Sequence, residues 1–138
     1  MREILFKAKR KDNGEWVEGG YFSEPYTDKK FIICWNSMGL GFNEFIEIDP
    51  DTLCQYTGLT DKNGKEIWEN DICDRKEKYP EIVTYNKGDW QLDYSYVFSK
   101  EIHNDACNLG FYACERNCVE VIGNIFDNPD LLEVEREK

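Results

Sequence analysis

A mainly β fold of short hairpins, ending in a short C-terminal helix, is what the residues predict, and three observations predict it. Turn sequences recur at Asn13-Gly14, Asn63-Gly64 and Asn86-Lys87-Gly88-Asp89 between short apolar runs, and such turns supply the positive φ angles of tight hairpins. The runs alternate with a period of two, most clearly at Trp90, Leu92, Tyr94, Tyr96 and Phe98. Size and composition agree: 138 residues, 41% hydrophobic and 14% aromatic, hold one domain or two small ones with enough bulk for a core.

Glu3 to Arg10 and Glu15 to Phe22 flank Asp12-Asn13-Gly14 as the first hairpin. Ile4, Phe6 and Ala8 share one face of its first strand, and Lys7, Lys9 and Lys11 the other, which is first a solvated face and only second a nucleic-acid patch. Phe31 to Trp35 is a continuous apolar run short enough for a buried strand. Met38-Gly39-Leu40-Gly41 reads as a bend, and Phe42 to Ile48 alternates imperfectly, as a strand that meets something on both faces. Asp49-Pro50-Asp51 then breaks the chain, because proline restricts its predecessor and cannot donate to a ladder. This break divides an N-terminal hairpin and strand region, 1–48, from a second region, 49–138, unless both form one compact unit.

In the second region Leu53 to Thr57 is a strand, Asp61 to Gly64 a turn, Lys65 to Trp68 the returning strand, and Asn70-Asp71 opens another through Ile72-Cys73. Ile82 to Tyr85 pairs with the aromatic run from Trp90 to Phe98, whose greasy face is first a core strand and second a ring-lined groove for bases or a peptide. Residues 100–117 lack a period and read mostly as loop. Val119 to Phe126 is again β-rich. Asn128-Pro129-Asp130 places a capping residue, a proline and an acid where a helix begins, so a short helix through Leu131, Leu132 and Glu133 is expected.

Seventeen basic against 28 acidic residues give a net charge of −11. Residues 1–48 carry 7 basic and 8 acidic side chains, and 49–138 carry 10 and 20. Such an acidic chain repels phosphate backbones, so duplex nucleic acid is an unfavourable partner. No stretch reaches the roughly 18–20 apolar residues of a membrane span, and the N-terminal apolar run is too short for a secretory signal, so a cytoplasmic protein without a membrane partner is expected. The cysteines, Cys34, Cys54, Cys73, Cys107, Cys114 and Cys118, then read as thiols.

Chemistry is sparse. His103, Cys107, Cys114 and Cys118 offer the four donors of a structural zinc site, but without the Cys-x₂-Cys knuckle that brings two thiolates to one metal. His103 and Cys107 become a nucleophile pair only on a helix, and no orienting third group accompanies them. Asp61, Glu66, Glu69, Asp71 and Asp74 could hold Mg²⁺ or transfer protons, yet turn chemistry explains their positions better. No phosphate-cradling loop is present. An enzyme is not expected, and no cofactor.

The stretch Gln55-Tyr56-Thr57-Gly58-Leu59-Thr60-Asp61-Lys62-Asn63-Gly64-Lys65-Glu66-Ile67-Trp68-Glu69-Asn70-Asp71-Ile72, followed by Glu120-Val121-Ile122-Gly123-Asn124-Ile125-Phe126-Asp127-Asn128-Pro129-Asp130-Leu131-Leu132, closely resembles the YopX family of bacteriophage and prophage proteins. Phe6-Lys7-Ala8 through Trp16-Val17 resembles that family's first hairpin. The resemblance implies a mainly β architecture with a small SH3-like barrel in the second region, a homo-oligomer with a hexamer as its expected form, a phage or prophage setting, and no established activity. Asn70 stands where members usually have glycine, and asparagine tolerates the left-handed conformation such a turn needs. Physically the motif folds before it acts: Tyr56 and Leu59 pack beneath the loop while Gly58 relieves crowding, Asn63-Gly64 turns the chain, and Ile67 and Ile72 return to the core. Its polar tip, Thr60, Asp61, Lys62, Asn63, Lys65 and Glu66, is the candidate recognition loop.

The expected function is therefore a non-enzymatic, oligomeric accessory protein that binds a phage or host protein. Two alternatives stand beside it. One is an acidic decoy of a host nucleic-acid-directed protein; the other is a nucleic-acid binder using Lys7, Lys9, Arg10, Lys11 and exposed rings.

Overall fold

The computed structural model describes residues 4–35, 43–97 and 107–133, and the chain divides after Tyr56 into two compact units, 1–56 and 57–138. In the first unit β1 (Phe6–Lys9), β2 (Trp16–Ser23), β3 (Lys30–Trp35) and β4 (Asn43–Glu47) are successive antiparallel neighbours. The start of β5 (Cys54–Thr60) pairs with the other side of β1, giving the order β4-β3-β2-β1-β5. The first turn differs from the tight one expected. Only Gly14 takes a positive φ, 74°, while the Asn13 side chain accepts the Glu15 N–H at 2.9 Å, so four residues separate the paired Arg10 and Glu15.

Alternation along these strands puts Ala8, Ile32 and Ile48 inside, at most 1% exposed, with Phe6, Val17, Cys34 and Leu53 against them. Each fully buried isoleucine contributes roughly 1.5–3 kcal/mol. Ile4, expected on the same face, is 61% exposed because β1 begins only at Phe6. β2 runs so close to β3 that a side chain at Gly19 would overlap the Ile33 carbonyl, which fixes glycine there. Pro50–Thr52 forms a 3-10 turn inside this unit, capped by Asp49, and the Thr52 hydroxyl accepts the Lys9 N–H at 2.8 Å.

The second unit opens with the end of β5, which turns at Asp61–Lys65 into β6 (Glu66–Trp68). Five strands then form a sheet in the order β10-β9-β8-β7-β11, from β7 (Asp71–Asp74), β8 (Glu81–Asn86), β9 (Asp89–Asp93), β10 (Cys107–Asn108) and β11 (Glu120–Asn124). Between Asn86 and Asp89, Lys87 and Gly88 take φ of 53° and 78°, the two consecutive positive angles of a primed hairpin turn. Ile67, Cys73, Val83, Leu92, Leu109, Ala113 and Val119 form the core, with Leu59, Trp90, Tyr112 and Val121 packed on it. Trp90 and Leu92 thus belong to a core strand.

Four expectations change. Neither sheet closes into a barrel among the described residues. In the first unit a single bridge, Arg10 to Ile48, ties the end of the meander back without completing a ladder. The aromatic strand from Trp90 ends at Asp93, whose carboxylate accepts the Ser95 N–H at 2.7 Å and turns the chain into a 3-10 segment, Ser95–Val97; Phe98 lies outside the described residues. The loop expected over 100–117 contains, in its described part, β10 and a wide π-type turn at Phe111–Glu115. The C-terminal helix is only a 3-10 turn, Pro129–Leu132. Asn128 does not cap it, because its side-chain oxygen accepts the Asn124 N–H at 3.2 Å instead. No helix of the described residues is long and apolar enough to cross a membrane.

Candidate functional site

The loop singled out by its polar tip is held from below by one of its own carboxylates. Asp61, 5% exposed, accepts the Asn63 and Lys65 N–H groups on Oδ1 and the Val121 N–H on Oδ2, each at 2.9 Å. Burial alone would raise its pKa, but the three backbone donors from Val121, Lys65 and Asn63 outweigh it and hold the carboxyl below its ordinary value. The Lys62 N–H donates to the Val119 carbonyl at 2.9 Å, and its ammonium lies 3.7 Å from Glu120. Thr60, Lys62, Asn63, Lys65 and Glu66 are exposed. The structure therefore separates one buried anchor from five outward-facing residues.

The neighbouring acids are anchors too. The Asp71 carboxylate accepts the Trp68 N–H at 2.8 Å, and Asp74 accepts that of Lys76 at 2.9 Å. Asn70 takes the left-handed conformation, φ 71°, where the resemblance places glycine. Its N–H donates to the Val83 carbonyl and its own carbonyl accepts from the Ile125 N–H, tying the two stretches to each other and to β8. In the second stretch, Gly123 leaves room for the Asn128 side chain, which a Cβ there would meet at 2.6 Å.

The zinc donors that the sequence offers do not gather among the described residues. His103 lies outside the described residues. Cys107 is half-buried on β10, Cys114 is exposed on the π-type turn, and the half-buried Cys118 thiol donates to the Tyr112 carbonyl at 3.8 Å. Among the described residues, no three His, Cys, Asp or Glu side chains gather in a metal-holding group. All six cysteines are free thiols, and burial pushes that of Cys73 up.

The basic cluster of the first unit is occupied internally. Lys7 and Lys9 sit over the Trp16 ring, 4.9 and 5.4 Å from its centroid, Arg10 pairs with Asp12 at 2.9 Å, and Lys11 with Glu47 at 3.2 Å.

Two arrangements escape the one-dimensional pattern. One is a phenylalanine cluster on the outer face of the first unit. Phe22 stands opposite Phe31 across β2 and β3, and the β3–β4 register brings Phe45 diagonally beside them. Their ring centroids are 6.0 to 6.4 Å apart, with Phe45 edge-on to both neighbours. Phe22 is 39% and Phe45 55% exposed, so an aromatic patch faces solvent on the side away from the core. The two-residue period of β2 contains it, but Phe22 reads as a strand end and Phe45 as the odd residue of an imperfect alternation.

The other is centred on Arg75. Its Nε donates to Glu81 Oε1 at 2.6 Å, its Nη1 to Glu77 at 3.0 Å and its Nη2 to the Cys107 sulfur at 3.4 Å, while the guanidinium stacks 4.3 Å from the Tyr112 ring centroid. Glu81 is 1% exposed; burial raises its pKa further than Arg75 lowers it. The only sequence signal is the charged run Arg75-Lys76-Glu77-Lys78-Tyr79 between two strands.

A family model described as YopX protein matches residues 5–133. Protein EF1440 from Enterococcus faecalis, known from a crystal structure, is similar at 28% sequence identity and a TM-score of 0.54, over 96% of this chain and 100% of that one. No curated protein matches the chain.

Proposed function

The chain belongs to the YopX family, and we propose that it is a non-enzymatic phage or prophage accessory protein of the bacterial cytoplasm that self-associates and acts by binding a phage or host protein. The observation that carries this reading is the outward cluster of Phe22, Phe31 and Phe45. Exposed aromatic groups held in a fixed mutual geometry are costly to leave in water and are a common mark of contact surfaces. A second copy is the occupant that fits. Glu47 stands across from Phe31 on the same face and pairs with Lys11 at 3.2 Å, so both signs of charge border the patch, and such a border matches its own image across a two-fold axis. The exposed tip residues Thr60, Lys62, Asn63, Lys65 and Glu66 in the other unit then serve as the surface for a different protein.

Light scattering coupled to size exclusion tests this on the full chain. The expected result is a defined oligomer, a hexamer in the form the family resemblance suggests, that Phe45→Glu breaks into smaller species with an unchanged circular-dichroism spectrum. A monomer at high concentration, or an oligomer indifferent to Phe45→Glu, overturns the reading.

A further inference from the structure

Beside the Arg75 cluster lies a cavity of about 370 Å³, lined by Arg75, Glu77, Lys78, Tyr79, Tyr94 and Tyr112. That is within the range of about 300–1,000 Å³ typical of small-molecule sites. The lining holds three tyrosines and two cations against one carboxylate, in a chain of net charge −11. Arg75 is neutralised by Glu81 and Glu77, so Lys78 is the lining cation whose charge no carboxylate among the described residues cancels, and in so acidic a molecule it draws an anionic group to this place. We infer that the cavity is a nucleotide site, with the planar base on the tyrosine surfaces and the phosphate on Lys78.

The geometry assigns the roles. The Arg75 guanidinium lies on Tyr112 at 4.3 Å, and the Lys78 ammonium over Tyr79 at 5.3 Å from the ring centroid. Both pairs present flat, polarised surfaces of the kind on which bases stack. Arg75 is fixed by Glu81 at 2.6 Å and by Glu77 at 3.0 Å, so it forms a rigid wall rather than a mobile clamp. Lys78 is exposed and, among the described residues, forms no ion pair, which leaves its charge for a phosphate. Glu77, exposed at the rim, accepts hydrogen bonds from an exocyclic amino group or a ribose hydroxyl. Tyr94 comes from the turn that ends β9 early and Tyr112 from the π-type turn, so both departures from regular structure deliver a ring to the same cavity. Wide helical turns of that type occur frequently at functional sites.

Calorimetric titration of the full chain tests the assignment with the four ribonucleoside 5′-monophosphates, their nucleosides, orthophosphate and a short single strand as probes. Monophosphates are expected to bind saturably, nucleosides more weakly, and orthophosphate not measurably. Tyr94→Ala is expected to weaken monophosphate and nucleoside alike by about tenfold or more, the size of one stacking contact. Lys78→Ala, a change at an exposed residue, is expected to abolish the advantage of the monophosphate over its nucleoside. A strand that binds more tightly than the mononucleotide identifies a nucleic-acid end as the source; equal binding identifies a free nucleotide. No saturable binding at millimolar monophosphate, orthophosphate binding as well as the nucleotide, or both variants folded and unaffected overturns the assignment. None of these outcomes bears on self-association, which belongs to the phenylalanines of the other unit.

Discussion

The two units use their distinctive residues in opposite directions. In 1–56, the aromatic residues Phe22, Phe31 and Phe45 turn outward over a small core of Ala8, Ile32 and Ile48, and the polar groups stay at the surface in pairs such as Arg10–Asp12. In 57–138, the polar groups turn inward. Asp61, Asp71 and Glu81 are each at most 5% exposed and bind backbone N–H groups or Arg75, around a larger apolar core. Buried charges of this kind are costly unless every bond is made, so they fix one geometry rather than add much stability. The contrast teaches that the longest recognisable stretches of this sequence are anchored by buried polar groups, while the outward aromatic patch, proposed for self-association, sits where those stretches are absent.

The largest expected effect that sharpens this contrast is Arg75→Ala. Removing the partner of buried Glu81 leaves a carboxylate with 2% exposure unpaired, at a cost of about 3–5 kcal/mol. Thermal or denaturant unfolding measures it. Arg75→Met alone, which keeps most of the packed volume, is expected to remain destabilised, and adding Glu81→Leu to recover most of the loss, which a purely local packing role for Arg75 does not predict. Gly19→Ala comes next. Its Cβ would overlap the Ile33 carbonyl, so β2 and β3 must shift, costing about 1–3 kcal/mol in the same assay.

Asp61→Asn is expected to cost about 1–3 kcal/mol at neutral pH, because an amide nitrogen facing the Val121 N–H sets donor against donor. Its pH dependence follows from the lowered carboxyl pKa. The folded state holds the ionised form more tightly than the unfolded chain does, so the contribution is complete above the ordinary carboxylate value of about 4. It is lost as pH falls through the lower folded value. The stability gap between wild type and Asp61→Asn should therefore narrow only in that acid window; a gap independent of pH there contradicts the ionic role. The smallest effect on stability is expected at Phe45, which is 55% exposed. Phe45→Ser should change unfolding by about 0.5 kcal/mol or less and still weaken self-association in light scattering.

Much of the fold is legible in the sequence where the cause is local. Asn86-Lys87-Gly88-Asp89 announces its hairpin because Gly88 takes its φ of 78° without a steric cost, and Lys87 is carried to 53° beside it; Asn70 likewise adopts the φ of 71° that its chemistry allows. Where a side chain has two competing uses, local reasoning fails. Asn128 has the identity of a helix cap, yet Asn124 takes its oxygen, and the helix shrinks to one 3-10 turn. Asp93 sits in an alternating run, yet its bond to the Ser95 N–H ends the strand. Arg75 and Glu81 meet because β7 and β8 are neighbours, and Tyr112 joins them from over 30 residues away. Only the folded chain creates those proximities.

Hydrogen exchange of the full protein at low and high concentration tests the central claim most directly, since protection reports locally which backbone amides an association covers. The account predicts added protection at high concentration within residues 16–47 and none within 57–97 or 107–133. Protection confined to the second unit, or no change anywhere, contradicts it.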